Sequence, residues 1–375
     1  MRTGDGGGFA GLHLRRDWIG ASARASWPAH LRTPIRIGLT KLLAVSPASD
    51  MARRALITGL TGQDGSFLAE LLLAQGYNVT GLVRGAPDRS LGCSEHLREQ
   101  VDLVRGDLLD PSSLQAAIEE SQPTEIYHLG GPSFVPASWE RPGEALSAIA
   151  GSTASLLEVV REIGPDTRVF VAASGAIFGE ALQSPQREDT PCHPTTPYAI
   201  AKLAAHELVG SMREHDGLFA CSGIVYNHES ERRPERFVTR RITRGAAAIA
   251  LGLQEELTLG SLEAVRDWSF AGDIVHGAWL MLQQERPDDY ILASGVPHTV
   301  AEFAEAAFAC VDLDAERYLR VDPALVRPQE DTPSVGDPRK ARERLRWEPE
   351  VSFSELVERM VRADMRSLEA QTSKP

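Results

Sequence analysis

Tyr198 and Lys202 stand four residues apart in the run Tyr198-Ala199-Ile200-Ala201-Lys202. On a helix that spacing sets a phenol and an ammonium on one face, one turn apart. The ammonium favours the phenolate and draws an ordinary pKa of about 10 toward working pH, which suits Tyr198 to act as a base on an alcohol such as a sugar hydroxyl. Ser174 follows the apolar run 169–172 and would orient that hydroxyl. Taken singly, each residue has a plain alternative: a buried Tyr with a partner for its OH, a helix-surface Lys, a turn Ser. Taken together, Ser174, Tyr198 and Lys202 read as a catalytic set for oxidising an alcohol against a nicotinamide.

The nicotinamide has a place in the same sequence. Gly59-Leu60-Thr61-Gly62-Gln63-Asp64-Gly65 follows an apolar run and opens a helical pattern. In that context glycines let the backbone turn tightly against a pyrophosphate, whose charge rests on free N–H groups and the helix dipole. Gly59, Thr61, Gly62, Gln63 and Asp64 are therefore the first cofactor-binding candidates. The next strand, 78–83, ends in Arg84 where an acid would bind the ribose diol. An Arg pairs with a 2′-phosphate, so NADP is preferred, with NAD as the alternative and Arg89 as support. Asp107 and Leu108 suit an adenine contact. Leu129 and Gly130 leave space beside the cofactor, and Ser133 is counted with them.

Positioning these groups requires strands that end side by side. Short aliphatic runs at 55–58, 78–83, 101–105, 125–128, 169–172 and 219–225 each precede a helical pattern, clearest at 67–74, 114–118, 156–163, 201–212 and 275–282. Such alternation predicts an α/β fold, a Rossmann-type doubly wound parallel sheet with helices on both faces. Beyond about residue 226 the order loosens into an Arg-dense loop, a helix over about 237–251, short strands near 258 and 290, and helices over 300–310 and 353–370. The expected organisation is an extension (1–50), an NAD(P)-binding domain (51–226), and mainly a smaller C-terminal α/β substrate-binding lobe (227–370).

Composition narrows the class. The chain has 375 residues, of which 42% are hydrophobic and 24% charged, with a net charge of −13, enough chain for two cores and the wrong sign for a general nucleic-acid binder. Cys93, Cys192, Cys221 and Cys310 lack metal-ligand spacing, so neither a zinc module nor a disulfide scaffold is expected and a reducing, cytoplasmic setting is the default. No run approaches eighteen apolar residues, so no membrane span is expected. Residues 1–50 carry seven Arg or Lys against three Asp, a balance of +4 against −17 for the rest. A start at Met51 is favoured over an organelle leader, and the extension is set aside from the fold as mobile.

The glycine turn, the Ser/Tyr-x-x-x-Lys set and the strand order together resemble the extended short-chain dehydrogenase/reductase superfamily. Within it, from about residue 53 to 365, the chain is most similar to the GDP-mannose 4,6-dehydratase family. The stretches that carry this are 55–66, Pro197-Tyr198-Ala199-Ile200-Ala201-Lys202, Asn227-His228-Glu229-Ser230, Arg232-Arg233, Phe237-Val238-Thr239-Arg240, Arg266-Asp267-Trp268 and Arg327-Pro328-Gln329-Glu330. The resemblance implies a nucleotide-sugar substrate, a GDP-sugar, with Asn227, Arg266 and Arg327 on its diphosphate and Glu330 on its ribose or guanine. Val238 and Arg240 join the substrate set, and His228 and Arg233 the cofactor set. Relatives of this type commonly pair, which implies a homo-oligomer.

One position departs from the family. Its dehydratases carry a Glu two places after the catalytic Ser or Thr, to take the C5 proton and deliver it to the leaving 6-hydroxyl; here that place is Ala176. Elimination without its acid/base loses about a hundred- to ten-thousand-fold. Glu180, His193 and His228 are the substitutes to examine. Phe178 replaces the family's Tyr and Pro132 its Gln, and Gly175 with Ala176 predicts a wider pocket. Oxidation at C4 needs only Ser174, Tyr198, Lys202 and the nicotinamide. Small residues at the position of Ala176 occur in 4-epimerases of the superfamily, so a GDP-sugar 4-epimerase working through a transient 4-ketone is the first expectation. The alternatives are a 4,6-dehydratase with a displaced base, a 4-ketosugar reductase, more weakly a decarboxylase, and, from another class, an inactive nucleotide-sugar sensor.

Overall fold

The computed structural model describes residues 53–85, 90–326 and 332–373. Arg89, Arg327, Glu330 and the extension 1–50 lie outside the described residues. The first half alternates as its aliphatic runs dictate: β1 (Arg54–Thr58), α1 (Gln63–Ala74), β2 (Asn78–Val83), β3 (Asp102–Arg105), α2 (Pro111–Ser121), β4 (Glu125–His128), α3 (Ala137–Glu140), α4 (Pro142–Leu146), α5 (Ser152–Ile163), β5 (Arg168–Ala172), α6 (Pro197–Asp216) and β6 (Ala220–Val225). The second half adds β7 (Asn227–Glu229), α7 (Val238–Ala250), β8 (Leu257–Leu259), β9 (Val265–Phe270), α8 (Ala271–Leu282), β10 (Tyr290–Leu292), β11 (Pro297–Thr299), α9 (Val300–Ala309), α10 (Ala315–Tyr318), β12 (Leu319–Val321), α11 (Arg339–Leu345) and α12 (Phe353–Thr372).

Seven strands form one sheet in the order β10-β6-β5-β4-β1-β2-β3, and every pairing in it is parallel. Parallel strands buried on both faces need apolar residues throughout. Leu56, Ile126, Val169 and Val171 duly meet α2 and α5 through Leu114, Leu156 and Val160. On the other face Ile57, Tyr127 and Phe170 share a core with Leu68 and Leu72 of α1 and Ile274 and Trp279 of α8. The chain runs outward in both directions from the β1/β4 pair, so the crevice beyond the carboxyl ends of β1 and β4 is where such a sheet takes a ligand.

The boundary read at residue 226 is crossed. β10 returns to the main sheet beside β6, with Tyr290, Ile291 and Leu292 all buried. Met281, Leu282 and Trp347 likewise join the first core. An unpaired β6 edge would leave a row of backbone donors and acceptors open, and β10 closes it. The smaller lobe has its own core, in which Ile242, Phe303, Phe308, Leu356 and Met360 bring α7, α9 and α12 together over the three-stranded sheet β11-β9-β7. Capping boxes start α9 (Thr299, Glu302) and α12 (Ser352, Glu355). No helix among the described residues is long and apolar enough to cross a membrane.

Candidate active site

The glycine turn is a cradle that side chains would fill. Gly59 sits at φ +83°, and a Cβ there would stand 2.8 Å from the Gly130 nitrogen and 2.9 Å from the Leu129 carbonyl carbon. A Cβ on Gly65 would meet the Gly59 oxygen at 2.3 Å, so α1 rests directly on the turn. Gly62 caps α1 with no side chain over the free N–H groups. A flush turn, an uncovered helix N-terminus and a crevice at the sheet's switch point fit a dinucleotide's pyrophosphate. Thr61 and Gly62 are exposed at the rim, as are Arg84 just after β2, Asp107 after β3, and Ser133. Leu108 lies against Gly130, whose N–H donates to Thr58 Oγ1 at 3.0 Å.

Gln63 and Asp64 point elsewhere. The Gln63 amide donates to the His228 carbonyl at 3.1 Å and accepts from Ser230 Oγ at 2.7 Å. The Asp64 carboxylate lies 2.9 Å from His228 Nε2. Arg232, from the same loop, donates to Ser66 Oγ at 2.8 Å and to Glu70 at 2.6 Å. These side chains hold the loop after β7 onto the start of α1. His228 Nδ1 in turn faces the Tyr226 carbonyl at 2.7 Å. Both ring nitrogens therefore face acceptors, which requires the doubly protonated imidazolium. Burial alone would lower its pKa, but the charge and hydrogen bond of Asp64 outweigh burial and raise it. Burial pushes Asp64 up, and the His228 charge with hydrogen bonds from His228 and Gln63 takes it down to about 2.

Ser174, Tyr198 and Lys202 converge at the carboxyl edge of β5. Ser174 opens a single helical turn, Gly175–Phe178, with its Oγ accepting from the Ala176 N–H at 3.2 Å. Tyr198 lies in the first turn of α6, which starts at Pro197 behind a Thr196 cap. Its backbone N–H donates to Ser138 Oγ at 3.2 Å. Lys202 Nζ donates to the Ala172 carbonyl at 2.6 Å and stands 5.9 Å from the Tyr198 ring centre.

The electrostatics correct one expectation. Burial raises the Tyr198 pKa above its ordinary value, against a hydrogen bond with Ser174 and the nearby charge of Arg233, which lower it. Burial also depresses the Lys202 pKa to about 8, with Asp64 partly opposing. In the protein alone the desolvation of two neighbouring groups outweighs their mutual help.

No described hydrogen bond links a substitute for the missing carboxylate to Ser174, Tyr198 or Lys202. Glu180 and His193 are exposed, and both His228 nitrogens are engaged. Ala176 packs beside Tyr198, Ile149 and Ala201 in an apolar cluster that also takes in Val135. The wider pocket expected at Gly175 is absent: a Cβ there would lie 2.9 Å from the Tyr226 ring, which already occupies the space. On the substrate side, Asn227 pairs in register with Trp268 across β7 and β9, and Arg266, half-buried on β9, donates to the Val265 carbonyl at 2.8 Å. Val238 opens α7. Arg233 pairs with Glu229 at 3.1 Å and stacks over Phe237.

Arg240, read from the sequence as a substrate residue, is turned inward. Its Nε and Nη2 meet the fully buried Asp364 at 2.8 and 2.7 Å, and its Nη1 donates to the Glu231 and Arg233 carbonyls. It fastens α7 to α12. The sequence reading missed this, and missed Gln186, because both sets of partners are distant in the chain.

The family model for GDP-mannose 4,6 dehydratase matches residues 56–360. The chain is 43% identical over 339 residues to GDP-mannose 4,6 dehydratase 2 of Arabidopsis thaliana, covering 87% of this chain and 91% of that protein. It is 39% identical over 352 residues to GDP-mannose 4,6-dehydratase of Vibrio cholerae, covering 84% and 95%. Among solved structures, the UDP-glucose 4-epimerase of Thermus thermophilus in complex with NAD superposes with a TM-score of 0.72 at 27% identity, covering 83% of this chain and 98% of that one. The RMD protein of Pseudomonas aeruginosa complexed with NADPH gives 0.73 at 23% identity, covering 84% and 100%, and shares the fold.

Proposed function

Because the chain belongs to the GDP-mannose 4,6-dehydratase family, a group of NAD(P)-dependent nucleotide-sugar enzymes, we propose that it oxidises the C4 hydroxyl of a GDP-sugar and then eliminates the 6-hydroxyl. This exchanges the order of the two outcomes first expected from Ala176. The observation that carries the oxidation is the convergence of Ser174, Tyr198 and Lys202 beside the glycine cradle. The elimination is supported by relatives of that activity aligning over more than four-fifths of the chain.

When bound, an oxidised nicotinamide supplies the hydride acceptor at C4 and a positive charge near the phenol. Tyr198 takes the hydroxyl proton and Ser174, whose hydrogen bond lowers the phenol's pKa, holds the oxygen in place, while Lys202 stays fastened to the Ala172 carbonyl beside them. The resulting 4-ketone acidifies the neighbouring C5–H; without a carboxylate at position 176, water would accept the C5 proton and protonate the departing 6-hydroxyl, after which the hydride would return to C6 and a solvent proton would add at C5, at a rate about a hundred- to ten-thousand-fold below that of an enzyme with the carboxylate. Arg84, exposed at the end of β2, favours NADP over NAD. Ala176 itself favours the second reading, a 4-epimerase, in which the ketone turns over and is reduced on its opposite face.

Proton NMR in D2O with GDP-mannose, run in parallel with NADP and NAD, separates these. The expected result is a C6 methyl and deuterium at C5, faster with NADP. An inverted C4 without deuterium gives the second reading, stoichiometric consumption of NADPH a reductase, and no reaction with any GDP-sugar removes the proposal. The variant Ala176→Glu should raise formation of the 6-deoxy-4-ketone by about a hundred- to ten-thousand-fold. A folded variant with unchanged elimination would show that position 176 does not face C5 and C6.

We also propose a homodimer through α3, α4 and α6, where Trp139, Leu146 and Ile200 are 61%, 46% and 50% exposed on adjoining helices. In sedimentation at micromolar concentration the wild type should run as a dimer and the variant Trp139→Ser/Ile200→Glu as a monomer. A monomeric wild type would dismiss the interface.

A further inference from the structure

Tyr226, 3% exposed, lies between β6 and β7. One side of its ring meets Gly175, where a Cβ would stand 2.9 Å from Cε1 and Cζ, and another meets Gly336, where a Cβ would stand 2.7 Å from Cε2. The ring is thus a spacer between the turn that carries Ser174 and the segment 333–337. Its hydroxyl donates to Gln186 Oε1 at 2.9 Å. Burial keeps that phenol protonated and donating.

Gln186, 2% exposed, uses every hydrogen-bonding capacity of its amide. Oε1 accepts from Tyr226 and from the Val335 N–H at 3.1 Å. Nε2 donates to the Gln183 carbonyl at 2.8 Å and the Pro333 carbonyl at 3.3 Å. Its backbone donates to Val335 and accepts from Asp337, each at 2.8 Å. An amide with all four sites matched has one orientation. The Tyr226 hydroxyl is therefore held from a fixed point, and the ring holds the Ser174 turn.

We infer that Tyr226, fixed by Gln186, is a positioning residue that sets the distance between the Ser174 hydroxyl and the Tyr198 phenol. This rests on the catalytic reading of Ser174 and Tyr198. The turn that carries Ser174 follows β5 through Ala173 and is wedged against a ring rather than a flexible side chain. Gly175 is glycine because the ring touches its backbone. The charged or titratable neighbours acting on the Tyr198 phenol are Asp64 and Arg233, with Lys202 on the same helix. Tyr226 itself faces Asp267, Glu188 and Cys192 and meets His228, the partner of Asp64, only through its backbone carbonyl, which the side-chain variants leave in place, so altering the ring reports on Ser174.

The test compares Tyr226→Phe, Tyr226→Leu, Gln186→Met and Gly175→Ala in C4 oxidation of a GDP-sugar, with thermal melting as a control for folding. Displacing a reacting group by about an ångström lowers rates by about a hundredfold. Tyr226→Leu should therefore lose ten- to a hundredfold in kcat, with roughly unchanged KM. The acid limb of its kcat/KM profile should move to higher pH, because the phenolate loses a hydrogen bond from Ser174. Tyr226→Phe keeps the ring but cuts its bond to Gln186, and Gln186→Met removes the same anchor, so each should show part of the Tyr226→Leu loss in kcat with the acid limb moved the same way, a parallel that a general packing role would not give. If Tyr226→Leu does not fold, Gly175→Ala applies the same displacement from the other side. Unmoved kcat and acid limb in the folded variants, or losses that merely follow melting temperature, overturn the inference. Ser174→Ala with full activity would instead overturn the underlying catalytic reading.

Discussion

Replacing Tyr198 by Phe should lower kcat for C4 oxidation by about a thousandfold, on the order of 4 kcal/mol of transition-state stabilisation, while nucleotide binding persists. The ring and its packing against Ile149 and Ala201 survive the change; only the oxygen that removes the proton is lost. Neighbouring groups cannot take over. Ser174 is an alcohol with no base of its own, Lys202 is directed at the Ala172 carbonyl, and His228 has both nitrogens bonded. The measurement is single-turnover appearance of the reduced nicotinamide absorbance, beside a fluorescence titration of NADPH binding. Activity within tenfold of wild type would remove Tyr198 from the role of base.

The second large effect concerns stability. Asp364→Ala should lower folding free energy by about 3 to 5 kcal/mol, because Arg240 would be left buried without its counter-charge. Asp364 is completely enclosed and also accepts from Thr243 Oγ1 at 2.7 Å. Burial raises its pKa despite the Arg240 charge and the hydrogen bonds that pull it down. The intact pair thus gains little over solvated ions, yet half a pair is worse than none. At about 2 to 4 °C per kcal/mol for a chain of this size, a fall of roughly 10 °C in melting temperature is expected. The double replacement Arg240→Met/Asp364→Leu should recover most of it. A single variant melting with the wild type would mean that water reaches the guanidinium.

The sequence made the main sheet legible because its strands are buried on both faces. β2 and β4 were read with the boundaries they have, and β1, β3, β5 and β6 to within a residue. Ser174, Tyr198 and the glycine turn were legible for a related reason: each is local, a spacing or a run. β9 escaped because Arg266 and Asp267 interrupt its apolar pattern. Asp267 is fully buried and accepts from Ser294 and Gly295, loop groups that no spacing connects to it. Arg240 looked like an anion ligand because an Arg-dense segment in an acidic chain suggests one, and its real counter-charge lies 124 residues away. Periodicity sets Lys202 beside Tyr198 but is silent about the burial that raises the phenol's pKa.

The loop after β7 is sewn to the start of α1 by Gln63, Asp64 and Arg232. A seam of that kind must break several hydrogen bonds and an ion pair before the two walls of the crevice can swing apart there like the halves of a shell. The proposed reaction asks for no such opening, because its cycle would return the dinucleotide to its starting oxidation state. Under that proposal the only traffic is the sugar nucleotide, entering and leaving past a tenant that stays.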